Sequence, residues 1–135
     1  MKNLATCSPS EFFAQTVKVR HCAEGWLKAT DILGIRKNLP KLPENATDEE
    51  KRAALAEQAK ANALRIFDAV FEDHPKETLD LLALCCFVEP ENVDDYPIDE
   101  YLEALLDMAE SKAVLRFFTF LTRLGQTNTS PARKQ

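Results

Sequence analysis

The chain has 135 residues, a formal net charge of −5, three glycines and seven prolines. This length suits one domain rather than two, and no apolar run approaches the stretch of about 20 residues that crosses a bilayer. Residues 1–7 lack the apolar core of a secretion signal, so we expect a cytoplasmic protein with no membrane partner. The abundance of helix-forming residues predicts an all-α fold, a single compact helical domain of about five to six helices over 1–125 with a flexible tail over 126–135.

The charges are segregated along the chain. Residues 89–110 contain nine acids and no base, whereas residues 111–135 contain five bases and no acid. An acidic run of this kind is most often a solvated face, and the adjoining basic end also allows self-association or docking of a partner of opposite charge. Because the whole chain is acidic, we do not expect it to bind nucleic acid.

The first helix is predicted to begin at Pro9. Ser8 occupies the N-cap position, and Glu11 can accept a hydrogen bond from the backbone N–H of the cap. Residues three and four apart then form one face that we expect to point inward. That face comprises Phe12, Thr16, Val19, Ala23 and Trp26.

A short second helix is predicted over 32–38. Thr30 and Asp31 can cap its start, and Pro40 forces the preceding residue out of helical geometry. The segment 39–46 then reads as a linker.

A long third helix is predicted to begin at a second capping box, formed by Thr47 and Glu50, and to end near Asp73. We expect one apolar stripe along it, flanked by two aromatic rings. The stripe comprises Leu55, Ala59, Ala63, Ile66 and Val70, and the flanking rings are Phe67 and Phe71.

Pro75 is placed to begin the next helix, which we expect to be the central core helix because it is apolar on nearly every side. Its apolar members are Leu79, Leu81, Leu82, Leu84 and Phe87. An acidic loop over 89–97 should follow.

Two further helices complete the predicted domain. The first of them should pack through an inner face of Ile98, Tyr101, Leu102, Leu105 and Ala109. Ser111 is predicted to start the second, which runs to Leu124, and Gly125 is placed as a left-handed terminator just past its end.

No catalytic, cofactor-binding or metal-binding pattern emerges, so we expect no enzyme and no cofactor. His21 and His74 have no ligand spacing, and the sequence contains no phosphate-binding loop or nucleophile motif. The four cysteines suggest reduced thiols, with Cys85 and Cys86 in the core and Cys7 the most exposed. An acidic metal site stays open as an alternative only if Asp94, Asp95 and Asp99 converge.

The last helix is apolar over an arc too wide for a simple surface helix. Val114, Phe117, Phe118, Leu121 and Leu124 form its stripe, with Leu115 and Phe120 beside it. Such an excess either completes the core, which we favour, or leaves an aromatic patch for a partner helix.

Four segments of the chain resemble a known family. They are KNLATCSPSEFFAQT, WLKATDILGIRKNLP, LLALCCFVEP and FFTFLTRLGQTN. Together they are similar to the small tail assembly chaperones of long-tailed phages, in the version encoded by prophages of Firmicutes. The similarity spans most of residues 2–128, and the charged region 44–60 departs from it.

The resemblance implies a non-enzymatic chaperone in the cytoplasm of the bacterial host that coats the tape measure protein before the tail tube polymerises. It leaves the tail tube protein as a second candidate partner and implies a tendency to form homo-oligomers. The candidate contact residues are Phe117, Phe118, Phe120 and Leu121, followed by Phe12 and Phe13. A helical adaptor or regulatory module of a prophage or bacterium is the competing interpretation.

Overall fold

The computed structural model describes residues 1–126, which form six α-helices and no β-strand. The helices are α1 Pro9–Thr30, α2 Ile32–Arg36, α3 Asp48–Phe67, α4 Pro75–Cys85, α5 Ile98–Glu110 and α6 Lys112–Gly125. A π-helical turn, Asp68–Asp73, extends α3, and a 3₁₀ helix, Pro90–Asp95, precedes α5. The predicted all-α fold is confirmed, while the predicted tail over 126–135 lies, from residue 127 onward, outside the described residues.

The chain divides into two compact units. The terminal unit combines Met1–Thr16 with Ala83–Gln135, and the central unit is Val17–Leu82. The boundaries fall inside α1 and α4, so each unit is described by itself. The predicted division into a helical domain and a tail stays a prediction.

Both predicted capping boxes are present. Ser8 Oγ accepts from the backbone N–H of Glu11 at 3.3 Å, and Glu11 Oε1 accepts from the backbone N–H of Ser8 at 3.0 Å. Thr47 and Glu50 make the same reciprocal pair at the start of α3, at 3.1 and 2.8 Å. Each box satisfies backbone donors that a helix start leaves without intrahelical partners.

Asp31 differs from its predicted role. Its backbone is left-handed, with φ 52°, and its side chain makes no capping hydrogen bond. The carboxylate lies against Gly34, where a Cβ would approach Asp31 Oδ1 to 2.4 Å. The residue therefore ends α1 in the conformation usual just past a helix, and a larger residue at position 34 would displace the Asp31 carboxylate.

The predicted left-handed terminator at Gly125 is wrong. Glycines in the described residues have no positive φ, and α6 includes Gly125 as its last residue. The chain leaves the helix at Gln126, which is extended.

The inner face of α3 differs from the prediction by one residue in its first half. Leu55, Ala59 and Ala63 are exposed, and Asn62 is buried instead. Asn62 Nδ2 donates to the carbonyl of Asn38 at 3.2 Å, and its Oδ1 accepts from Gln58 at 2.8 Å. A buried amide needs these partners, so hydrogen bonding rather than apolar area decides which way α3 turns.

The inner face of α5 is also different from the prediction, which holds only at Tyr101. Tyr101 and Ala104 are buried, and Tyr101 Oη donates to the carbonyl of Val93 at 2.7 Å. This bond ties α5 to the preceding 3₁₀ helix and fixes its rotation. The other four members of the predicted face, Ile98, Leu102, Leu105 and Ala109, are exposed.

The end of α4 and the residue after it contribute two well-buried side chains, but none of the five apolar residues predicted to form the core is buried: Leu79 is exposed, and Leu81, Leu82, Leu84 and Phe87 are half-buried. Ala83 is 0% exposed and Cys86 is 2% exposed, and burial raises the pKa of Cys86 to about 11. Cys85 is half-buried. Cys7 is half-buried like Cys22 and Cys85, so the prediction that it is the most exposed thiol stays a prediction.

We expect Gln15→Met to lower the free energy of unfolding. Gln15 is buried in the terminal unit, where its Nε2 donates to the carbonyl of Leu84 at 2.6 Å. Methionine has a similar length and no donor, so the carbonyl of Leu84 keeps only the 3.4 Å hydrogen bond from the backbone N–H of Phe87, at a cost of about 1 kcal/mol. Urea unfolding measures the change, and Lys18→Met on the exposed side of α1 is the matched control. Equal stability of the two variants would show that this hydrogen bond contributes nothing.

Candidate partner-binding site

The structure brings four of the six predicted contact residues into one aromatic cluster of the terminal unit. The rings of Phe12 and Phe117 lie 4.8 Å apart between centroids, at 87° to one another. Phe13 lies 6.3 Å from Phe117, and Phe118 lies 5.5 Å from it. Edge-to-face pairs of this kind stabilise one another beyond simple burial, so the start of α1 and the middle of α6 form a single aromatic surface.

The cluster has a supported layer and an open layer. Phe12 and Phe117 are half-buried, whereas Phe13 is 64% exposed and Phe118 is 41% exposed. The half-buried rings hold the outer rings in place, which leaves apolar faces directed at solvent. Large apolar side chains gathered in this way are typical of binding surfaces.

Beyond the cluster, α6 is exposed on all sides. Val114 is its one buried residue, and every residue from Phe118 to Gly125 is exposed. Phe120 and Leu121, the remaining predicted contacts, lie on this part and are 58% and 42% exposed. The expectation that the last helix completes the core is therefore wrong past Phe117, because the second half of α6 has no packing partner within residues 1–126.

An apolar groove of about 260 Å³ lies beside the cluster, and Phe12 and Phe117 form part of its wall. The first residues of the chain, the start of α1 and the start of α6 supply the rest. They are Leu4, Ala5, Cys7, Ser8, Pro9, Ser111, Ala113 and Val114. The groove gives the cluster depth, so an incoming side chain can be surrounded rather than merely touched.

The groove depends on an N-terminal segment that sequence reasoning missed. Asn3 is 1% exposed, and its Oδ1 accepts from the backbone N–H of Ala5 at 2.7 Å. Its Nδ2 donates to Asp107 Oδ2 on α5 at 3.4 Å, and its backbone N–H donates to Thr6 Oγ1 at 3.0 Å. Asparagine favours turns because its side-chain oxygen can accept a hydrogen bond from the backbone N–H two residues on, and this is the signal that could have marked the segment.

A charged pair fixes the segment to the start of α1. Lys2 Nζ forms an ion pair with Glu11 and also lies 5.5 Å from the ring centroid of Phe87. The hydrogen bond from Lys2, followed by those from the backbone and side chain of Ser8, lowers the pKa of Glu11 to about 2. Glu11 immediately precedes Phe12, so the same carboxylate caps α1 and positions the first aromatic residue of the cluster.

A second exposed aromatic pair lies in the central unit. Phe67 and Phe71 have ring centroids 4.8 Å apart, and each is 59% exposed. No member of the predicted site belongs to this pair. Each of its rings is about as exposed as Phe120, so the pair serves as a control for substitutions on α6.

The central unit also contains a polar pocket of about 280 Å³. Its walls include Arg65, Asp68, Asp73 and His74, so it carries side chains of both charges. His74 Nδ1 lies 3.0 Å from Glu77 Oε2, and this hydrogen bond lowers the pKa of Glu77. No motif in the sequence pointed to this pocket.

The described part of the chain lacks a cluster of metal ligands and a membrane-spanning helix. There, no group of three or more His, Cys, Asp and Glu side chains is arranged to hold a metal ion, and Asp94, Asp95 and Asp99 form no such group. None of the helices formed by residues 1–126 combines the length and hydropathy needed to cross a membrane.

We expect Glu11→Gln to lower the melting temperature at neutral pH and to have no effect in strong acid. Glutamine keeps an acceptor for Ser8 but loses the charge that pairs with Lys2. The folded-state pKa of Glu11 is about 2, so its contribution is complete above the ordinary value of about 4.3 and is lost as the pH falls through the folded value.

Thermal unfolding followed by circular dichroism between about pH 2 and pH 7 measures this difference. Glu57→Gln, an exposed position on α3, is the control. A difference between Glu11→Gln and the parent that stays constant over this range would contradict the expectation.

Comparisons of the chain with known protein families, with curated proteins and with solved structures find no match. The features that bear on function are the aromatic cluster, the exposed half of α6 and the resemblance carried by the four sequence segments.

Proposed function

We propose that this protein is a tail assembly chaperone of a long-tailed phage, which binds the tape measure protein and keeps it soluble during tail assembly in the host cytoplasm. It acts by binding alone, without catalysis. The observation that carries the proposal is the exposed aromatic surface formed by Phe13 and Phe118 and continued along α6. The tail tube protein is a second candidate partner.

The surface suits an apolar helical segment, which is what a tape measure protein offers along its length. On α6, Phe117, Phe118, Leu121 and Leu124 follow one another at the spacing of a helix face. A partner helix can lie against this face and place a side chain in the adjoining groove, as amphipathic helices do in apolar grooves. Such binding depends on the spacing of apolar side chains rather than on a particular sequence. One chaperone can therefore bind many segments of the same rod.

The half-buried rings favour such binding because they are already ordered. Phe12 and Phe117 are held edge to face before any partner arrives, so little side-chain entropy is lost when the outer rings are covered. Aromatic side chains supported in this way commonly dominate the binding energy of an interface. The net charge of −5 limits nonspecific aggregation of the free chaperone.

Co-expression with the tape measure protein, followed by copurification and sizing, tests the proposal. A soluble complex with many copies of this chain per tape measure is the expected result. An insoluble tape measure together with a chain that elutes alone would contradict it and would favour the helical adaptor that the sequence also allows.

The double variant Phe118→Asp and Phe120→Asp should bind the tape measure protein much more weakly while staying folded. Both side chains are exposed, so the introduced charges destabilise the complex with the tape measure protein and leave the core unchanged. Loss of one aromatic anchor costs about 2 kcal/mol or more, which corresponds to about a thirtyfold weaker affinity. Copurification yield and a binding isotherm with a tape measure fragment measure the effect.

The matched control is Phe67→Asp with Phe71→Asp, which charges an equally exposed aromatic pair in the central unit. It should bind as the parent does. Unchanged binding by the α6 variant, with its circular dichroism intact, would remove α6 from the site.

A further inference from the structure

The exposed apolar face of α5 is rimmed by acids. Ile98, Leu102, Leu105 and Leu106 are 41–61% exposed and share one side of the helix. The same helix carries five acids and no base, namely Asp99, Glu100, Glu103, Asp107 and Glu110. Apolar side chains bordered by one sign of charge favour a partner of the opposite sign.

Helix α6 has the opposite character. It carries three bases and no acid, namely Lys112, Arg116 and Arg123. Its exposed apolar side chains are Leu115, Phe118, Phe120, Leu121 and Leu124. Every chain of this protein therefore contains both an acid-rimmed and a base-rimmed apolar helix.

The combined surface is large enough for a stable interface. Nine apolar side chains of α5 and α6 are 41–66% exposed. Taking about 150 Å² for a fully exposed leucine, isoleucine or phenylalanine side chain, they present on the order of 700 Å² of apolar surface, which the charged side chains beside them extend. A standard interface between proteins buries about 800 Å² on each partner.

We propose that two copies of this chain form a closed pair, in which α6 of each copy lies on α5 of the other. Ser111 is both the C-cap of α5 and the N-cap of α6, so the two faces are joined by a single residue. A two-fold pair therefore covers both faces of both copies at once and sets acids against bases at each contact. Head-to-tail addition would instead leave one face open at each end of a growing chain.

The pair does not depend on the proposed function, because it is formed by this chain alone. Its test needs no tape measure protein, so failure of one proposal leaves the other intact. Charge reversal distinguishes specific pairing of α5 with α6 from nonspecific association of apolar surfaces.

Two reversed variants provide the test. The first, Glu103→Lys with Glu110→Lys, makes α5 less acidic, and the second, Arg116→Glu with Arg123→Glu, makes α6 acidic. All four residues are exposed. Asp107 is kept because it accepts a hydrogen bond from Asn3. The control is Glu57→Lys with Arg52→Glu, two exposed positions on α3.

Sedimentation equilibrium of the full chain should give twice the mass of one chain. The range from about 1 to about 100 µM is suitable, because interfaces of this area dissociate from micromolar concentrations downward. Each reversed variant alone should dissociate at least ten times more readily, while the control pairs as the parent does. An equimolar mixture of the two reversed variants should pair more tightly than either variant alone, since one of its contacts joins the two unchanged faces and the other sets the new lysines of α5 against the new glutamates of α6.

Salt gives an independent readout. The Debye length falls from about 8 Å at 0.15 M to about 3 Å at 1 M ionic strength, so the parent pair should weaken as salt is added. A monomeric parent over the whole range overturns the proposal. A mass that keeps growing past two chains, or reversed variants that pair as tightly as the parent, also overturns it.

Discussion

Within each unit of this protein, a buried side-chain amide donates a hydrogen bond to a backbone carbonyl group of another segment and connects the two. In the terminal unit, Gln15 on α1 donates to the carbonyl of Leu84 on α4. In the central unit, Asn62 on α3 donates to the carbonyl of Asn38, just after α2. A buried amide that lost its partner would cost more than most single apolar contacts contribute. The helices therefore pack where these bonds can form, even where this leaves apolar side chains in water.

The exposed apolar surface follows from this constraint. Asn62 turns α3 so that Leu55 and Ala59 are exposed, and Tyr101, which donates to Val93, turns α5 so that Leu102 is exposed. An apolar face that a helix does not bury within its own unit is available to another molecule. The exposed apolar side chains of α3 and α5 therefore accompany specific polar contacts on the buried sides of these helices.

Helix starts and the all-α class were predictable from sequence, because a capping box such as Ser8 with Glu11 is made by neighbouring residues. Inner faces were not, because they depend on partners distant in sequence, as Asn62 and Asn38 are. Sequence periodicity selected Phe12 and Phe117 as candidate contacts and could not show that their rings meet. The N-terminal Asn3 was missed because its role depends on Asp107, 104 residues away.

The proposed pairing between copies and the proposed binding of a tape measure segment both use α6, so one α6 cannot do both at once. The apparent affinity for the tape measure is then its intrinsic affinity reduced by the fraction of α6 that is paired. In the proposed pair of chains, which needs only moderate affinity, Phe118 and Phe120 are covered. Their contact with unrelated apolar surfaces is then limited. A long rod carries many apolar segments, and neighbouring segments raise the local concentration of sites for each chaperone that dissociates. The partner thus displaces the pair through its number of sites, without requiring any single segment to bind more tightly than a second copy does.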